Sequence, residues 1–276
     1  MLKKLFKISR PRFWLYLAGP FLIGAVASDL LSVLESYWFY ILLIYFLIFA
    51  NIYLYGINDY FDYDTDKYNI KKEEKESKLN SKKLRKLVFY YIIFFLALSF
   101  LIIILIPNIK VKILLALFLF LASFYSAPPL RFKRWPIIDS LSNILYIIPG
   151  LVSYFLFTKS NPDWFIILAL WAWAVSMHLF SAIPDIKPDK KAGLYTTAIF
   201  FGEKKSLWIC SLLWMIFSLI IIINSLLLPL SFLFLIYPLI PLYLLIKKKS
   251  AEKVYWHFPF ITGVLGFLTF WYLFIF

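Results

Sequence analysis

Residues 37–66 read YWFYILLIYFLIFANIYLYGINDYFDYDTD. From Tyr37 to Ile57 the stretch carries no charge, and Asn51 is its one strongly polar side chain. An apolar run of about 18 residues or more is long enough to cross a bilayer as a helix. Directly after it come Asn58, Asp59, Asp62, Asp64 and Asp66. The stretch therefore predicts a membrane span that ends in an acidic cluster.

Eight further apolar runs surround it. With it, they lie at 13–28, 37–57, 88–106, 111–127, 138–157, 164–183, 206–224, 230–246 and 256–275. Lipid offers no hydrogen bonds to a backbone, so spans of this kind must be helices. The alternation of a membrane barrel is absent. Hydrophobic residues make up 63% of the chain and charged residues 16%, against about 45–50% and about 25% in soluble domains. The expectation is an all-α, polytopic membrane protein of nine helices, forming a single domain over 1–276.

Basic residues set the orientation. All but three of the 29 Lys and Arg fall in 1–12, 58–87, 128–137, 184–205 and 247–254; the exceptions are Lys110, Lys112 and Lys159. With the N-terminus in the cytoplasm, the basic segments all lie on that side, as the positive-inside rule requires. The net charge of +14 is then topological. It suits anionic lipid headgroups and gives no reason to expect nucleic acid. An integral multi-pass protein of the plasma (inner) membrane is expected, with the two long polar segments, 58–87 and 184–205, capping its cytoplasmic side. Nothing in the sequence calls for an obligate protein partner. The single cysteine, Cys210, excludes an intrachain disulfide and a thiolate metal cluster.

If the second helix runs on through the acidic cluster, Asp59, Asp62 and Asp66 share one face at i, i+3 and i+7. Asn58 borders that face and Asp64 points away. Carboxylates at a helix C-terminus oppose the macrodipole, so a cation is needed to hold them. The other long polar segment opens with Asp185-Ile186-Lys187-Pro188-Asp189, two carboxylates at i and i+4. Proline is poorly tolerated beyond a helix's first turn, so either Pro184 starts a new turn or the segment is irregular. Each acidic motif follows an apolar helix, with four helices between them. That placement suggests two related four-helix halves plus a ninth helix.

A third polar cluster, Tyr125-Ser126-Ala127-Pro128-Pro129-Leu130-Arg131-Phe132-Lys133, follows the fourth run. Arg131, Lys133 and Lys190 are candidates to hold phosphate, and positive-inside anchoring explains them equally well. Carboxylates without thiolates or paired histidines point to a hard cation. Mg2+ binds through a few carboxylates plus substrate phosphates, and two ions bridging a diphosphate would neutralise it as a leaving group. His178 precedes Asp185 by seven residues and reads as a packing histidine or an acceptor contact; His257 reads as interfacial.

At these motifs the chain resembles the UbiA-type intramembrane prenyltransferase superfamily. NDYFDYDTD matches the pattern NDxxDxxxD at Asn58, Asp59, Asp62 and Asp66. DIKPDKKAG resembles DxxxD followed by glycine, at Asp185, Asp189 and Gly193. YSAPPLRFK is similar to the family's diphosphate-contacting segment, at Tyr125, Arg131 and Lys133. The resemblance implies a helical bundle around a central cavity open to the bilayer. It implies Mg2+ on Asp59, Asp62, Asp66, Asp185 and Asp189, with Asn58, Tyr125, Arg131, Lys133 and Lys190 on the substrate. It also implies transfer of a prenyl group from an allylic diphosphate to a lipid-soluble acceptor. Two departures stand out: the basic position after the first motif has only Lys71 or Lys72 to fill it, and Pro188 stands where a smaller residue is common. SRPRFWLYLAGPFLIG and AIPDIKPDKKAGLYTTA look most like the lycopene-elongase branch, which implies dimethylallyl diphosphate as donor and a carotenoid as acceptor. Prenylation of a quinone precursor or another lipid is the alternative within the family. A cation-coupled transporter is the alternative outside it, but transporters place their carboxylates near the bilayer midplane, not at the ends of spans.

Overall fold

The computed structural model of the protein describes residues 6–63, 81–224 and 229–275. All regular structure among them is helical. Seven helices are long and apolar enough to cross a membrane: α2 (Tyr37–Phe61), α3 (Lys82–Leu105), α5 (Ile138–Phe157), α6 (Trp164–Lys191), α7 (Thr197–Ile223), α8 (Leu230–Lys247) and α9 (Ala251–Ile275). The first and fourth apolar runs form shorter helices, α1 (Leu15–Val26, 12 residues) and α4 (Ile109–Phe124, 16 residues). At 1.5 Å per residue these reach only about 18 and 24 Å, so length alone does not make them spans. The protein is an integral membrane protein.

The helix starts are written in the loops. Ser81, Asn108, Asp163, Thr196 and Ser250 each accept a hydrogen bond from a backbone N–H in the first turn that follows, the role for which short polar side chains are favoured. Inside α2, Tyr45–Phe49 form a wide π turn. The Asn51 amide donates to the Phe46 and Leu47 carbonyls there, at 2.8 and 3.0 Å. This accounts for the lone polar residue of the apolar run.

The described chain sorts into two compact units. One holds residues up to Phe132 together with Ile148–Lys159; the other holds Lys133–Ile147 together with Ser160–Phe276. The boundary does not coincide with the repeat boundary expected from motif placement, because α5 is divided. Its first half contains a 3-10 stretch, Ser142–Tyr146, and regular α-helix resumes at Ile148.

In the first unit, α1 and the second half of α5 meet through glycine. A Cβ on Gly24 would collide with the Gly150 carbonyl oxygen, and Ser153 Oγ donates to the Phe21 carbonyl at 2.6 Å. Close backbone approach through small residues is how helices pack where no hydrophobic effect drives them together. Phe21, Phe46 and Phe118 form the adjoining aromatic cluster, with centroids 5.6 Å apart at each step, the first pair tilted and the second edge to face. In the second unit, Trp214 is the centre of the core. It packs on Phe258 at 5.2 Å, Tyr237 at 5.5 Å and Phe180 at 5.6 Å. Cys210 is fully buried in the same cluster, which fits its reading as a small apolar residue. α7 bends at Gly202, whose φ of 73° is non-helical; a side chain there would be strained.

Candidate active site

In the first unit the acidic motif sits at the end of α2. The helix stops at Phe61, and Asp62 is the capping residue with φ −99° and ψ 4°. Asp64, Asp66, Lys71 and Lys72 lie outside the described residues. Asp59 and Asp62 are both buried, 2% and 8% exposed, and they are held from different directions. Arg10 Nη2 donates to Asp59 Oδ1 at 2.9 Å. Ser126 Oγ donates to Asp62 Oδ2 at 3.1 Å. Arg131 Nη2 lies 3.6 Å from Asp62 Oδ1 and donates to the Phe61 carbonyl at 2.9 Å. The guanidiniums supply the positive charge that a C-terminal carboxylate needs.

Arg10 was not among the residues expected at the site. The available signal was its place in a basic segment on the same side of the membrane as the motif, immediately before Pro11. Its backbone is left-handed, with φ 49°. Trp14 Nε1 pins the preceding residue by donating to both the carbonyl and the hydroxyl of Ser9, each at 3.1 Å. The Arg10 guanidinium lies 4.6 Å over the Tyr55 ring. Arg131 is also left-handed, φ 46°, so both cations come from turns and not from helices. Tyr125, where α4 ends, is half-buried.

In the second unit the other acidic motif extends α6. Ile183–Asp185 is a 3-10 turn containing Pro184, and Ile186–Lys191 is a fresh helical turn. Pro188 therefore falls in a first turn, where its missing N–H costs little. Asp185 and Asp189 are half-buried, and Lys190 is exposed. The turn closes at Gly193, φ 70°, where the N–H of Leu194 reaches back to the Asp189 carbonyl at 3.0 Å. Lys133 also belongs to this unit and is buried.

Asp139 escaped the sequence reading altogether. It is 1% exposed and accepts from Ser140 N at 2.7 Å, Thr197 N at 2.9 Å and the Thr197 hydroxyl. His178 Nε2 lies 3.9 Å from its Oδ2. Its signature in sequence was one acid inside an apolar run, and buried ionisable groups within spans are a functional signal by default. Here the partners give it a structural one: it ties the start of α5 to the start of α7.

Among the described residues, no three His, Cys, Asp or Glu side chains gather as a metal site by themselves. Mg2+ does not need three, since it keeps waters and phosphate oxygens in its shell. The donors at the end of α2 are hard oxygens. Asn58 Oδ1 is buried and accepts no hydrogen bond among the described residues, so the residues present suit such a cation.

Residues 13–271 match the UbiA prenyltransferase family. The chain belongs to that family. It is a prenyltransferase. It is 38% identical over 265 residues to a lycopene elongase/hydratase of Haloferax volcanii, covering 95% of this chain and 85% of that one. It is 39% identical over 271 residues to a lycopene elongase/hydratase of Halobacterium salinarum, covering 96% and 95%. Its fold is shared with a UbiA homologue from Archaeoglobus fulgidus solved with DMAPP and Mg2+, at a TM-score of 0.73 and 24% identity over 98% of this chain and 99% of that one.

Proposed function

We propose that this UbiA-family prenyltransferase joins a five-carbon unit from dimethylallyl diphosphate to the end of a lycopene-type polyene. The observation that carries this reading is near-full-length identity of 38–39% to lycopene elongase/hydratases, in a chain that carries both acidic motifs. Mg2+, when bound, supplies the positive charge that makes diphosphate a leaving group. By the family pattern, Asp59, Asp62 and Asp66 of the first motif and Asp185 and Asp189 of the second are the candidates to hold Mg2+. Arg131, Lys133 and Lys190 are the cations to grip the diphosphate oxygens, on the cytoplasmic side where the basic segments gather. The donor's C–O bond breaks with its electrons leaving on diphosphate, the polyene's terminal double bond supplies the pair for the new C–C bond, and the cation this leaves on the polyene is discharged by loss of a proton or by addition of water, which then gives up a proton. A five-carbon donor has little tail to bury, so diphosphate contacts must provide most of its affinity.

The test is expression in a lycopene-producing bacterium. Carotenoids one or two five-carbon units heavier are expected, and diphosphate release from dimethylallyl diphosphate by the purified protein should require Mg2+. An unchanged carotenoid mass, with prenylation of an aromatic quinone precursor in its place, would overturn the acceptor and leave the family assignment standing.

A further inference from the structure

The end of α2 presents two edges that are treated differently. Tyr55 and Asp59, at i and i+4, form one. Arg10 covers it, with Nη2 at 2.9 Å from Asp59 and the guanidinium 4.6 Å over Tyr55. Asn58 and Asp62, also at i and i+4, form the other, where Asp62 meets Ser126 and Arg131 of the segment after α4. Asp59 is the deeper carboxylate, 2% exposed against 8% for Asp62. A divalent cation on Asp59 would have to sit beside a half-buried guanidinium whose approach is fixed by its own backbone. Arg10 is locked by its left-handed φ, by Pro11 after it, and by the Trp14–Ser9 hydrogen bonds before it.

We infer that Asp59 is not a metal ligand but the buried anchor of Arg10, and that the Arg10–Asp59 pair is a positioning device. It clamps the N-terminal segment to the last turn of α2 and fixes the register in which Asn58 and Asp62 meet a cation. This gives the SRPRF opening a physical role: it delivers one guanidinium to one carboxylate. The inference rests on the metal reading proposed above, and it removes Asp59 from the ligand set that the family pattern suggests.

The experiment is Mn2+ binding to the full-length protein in detergent, followed by loss of the free-ion electron paramagnetic resonance signal. Asp62→Asn should weaken binding on the order of 100-fold, as loss of a ligand does. Arg10→Gln and Asp59→Asn should each weaken it about tenfold, the usual effect of disturbing a group behind a ligand. Arg10→Gln and Asp59→Asn each remove one half of the Arg10–Asp59 ion pair, so either variant is at risk of misfolding. The deciding variant is therefore Arg10→Met/Asp59→Leu, which removes both charges and keeps apolar volume, a replacement that buried ion pairs often tolerate. It should fold and bind Mn2+ about tenfold more weakly than the wild type and about tenfold more tightly than Asp62→Asn, because the clamp is lost while every ligand is intact. A double variant that is folded but binds no better than Asp62→Asn would overturn the inference and restore Asp59 as a ligand. A wild-type protein that bound no Mn2+ would overturn the metal reading itself, and this inference with it.

Discussion

Asp62 and Asp139 are both nearly buried carboxylates, 8% and 1% exposed, in opposite electrostatic settings. Asp62 stands at the C-terminal end of α2, where the helix macrodipole repels it. Its charge is met by the Arg131 guanidinium and a serine hydroxyl. Asp139 receives the first N–H of α7, from Thr197, where the macrodipole attracts it. The rest of its shell includes a second backbone N–H and a hydroxyl. A carboxylate held by fixed backbone donors has no cheaper partner to exchange them for. A carboxylate at the wrong end of a dipole, held by a long cationic side chain, can trade that partner for a metal ion. Burial alone does not separate a structural acid from a functional one; the kind of donor does.

The largest expected effect follows from this contrast. Asp62→Asn or Asp185→Asn should each lower turnover on the order of 100-fold, since a Lewis-acid contribution of several kcal/mol is lost. Stability, read by thermal unfolding in detergent, should change little. Asp139→Asn should do the reverse. It places an amide –NH2 against backbone N–H donors, at about 2–3 kcal/mol for the groups left unsatisfied, while turnover per folded molecule stays within a few-fold. If Asp139→Asn cost as much turnover as Asp62→Asn at unchanged stability, the distinction drawn from their donors would be wrong.

Much of this was readable before any coordinates, and the parts that were not share a cause. Local pattern gave the helices, because membrane spans write themselves as uncharged runs, and it gave both acidic motifs. Pattern also put Asp59, Asp62 and Asp66 on one face on the condition that the helix runs on through them. The helix ends at Phe61 instead, where Asp62 is gripped by residues more than sixty positions away in sequence. Arg10 and Asp139 were missed for the same reason. Each matters through a partner 49 or 58 residues distant, and periodicity carries no record of such pairings. The packing units divide within α5, which contains a 3-10 stretch, and motif placement carries no record of that division.

The smallest effect sharpens the comparison from the other motif. Asp185 and Asp189 are half-buried on a six-residue helical turn, so backbone geometry matters more there than a matched ion pair. Gly193 ends that turn at φ 70°, and a Cβ at this position would meet nothing within 4 Å. Gly193→Ala therefore tests conformation and not packing. A left-handed alanine costs about 1–2 kcal/mol, and asparagine, which tolerates that region, should cost less. The Leu194 N–H bond to the Asp189 carbonyl depends on the same φ, so strain at Gly193 is transmitted to the motif. The expected result is a lower Mn2+ affinity for Gly193→Ala, by about two- to fivefold, with Gly193→Asn between it and the wild type. Equal affinities in all three proteins would mean that the second motif holds its geometry without the glycine turn, and that both acidic motifs, not only the first, are fixed by side-chain partners.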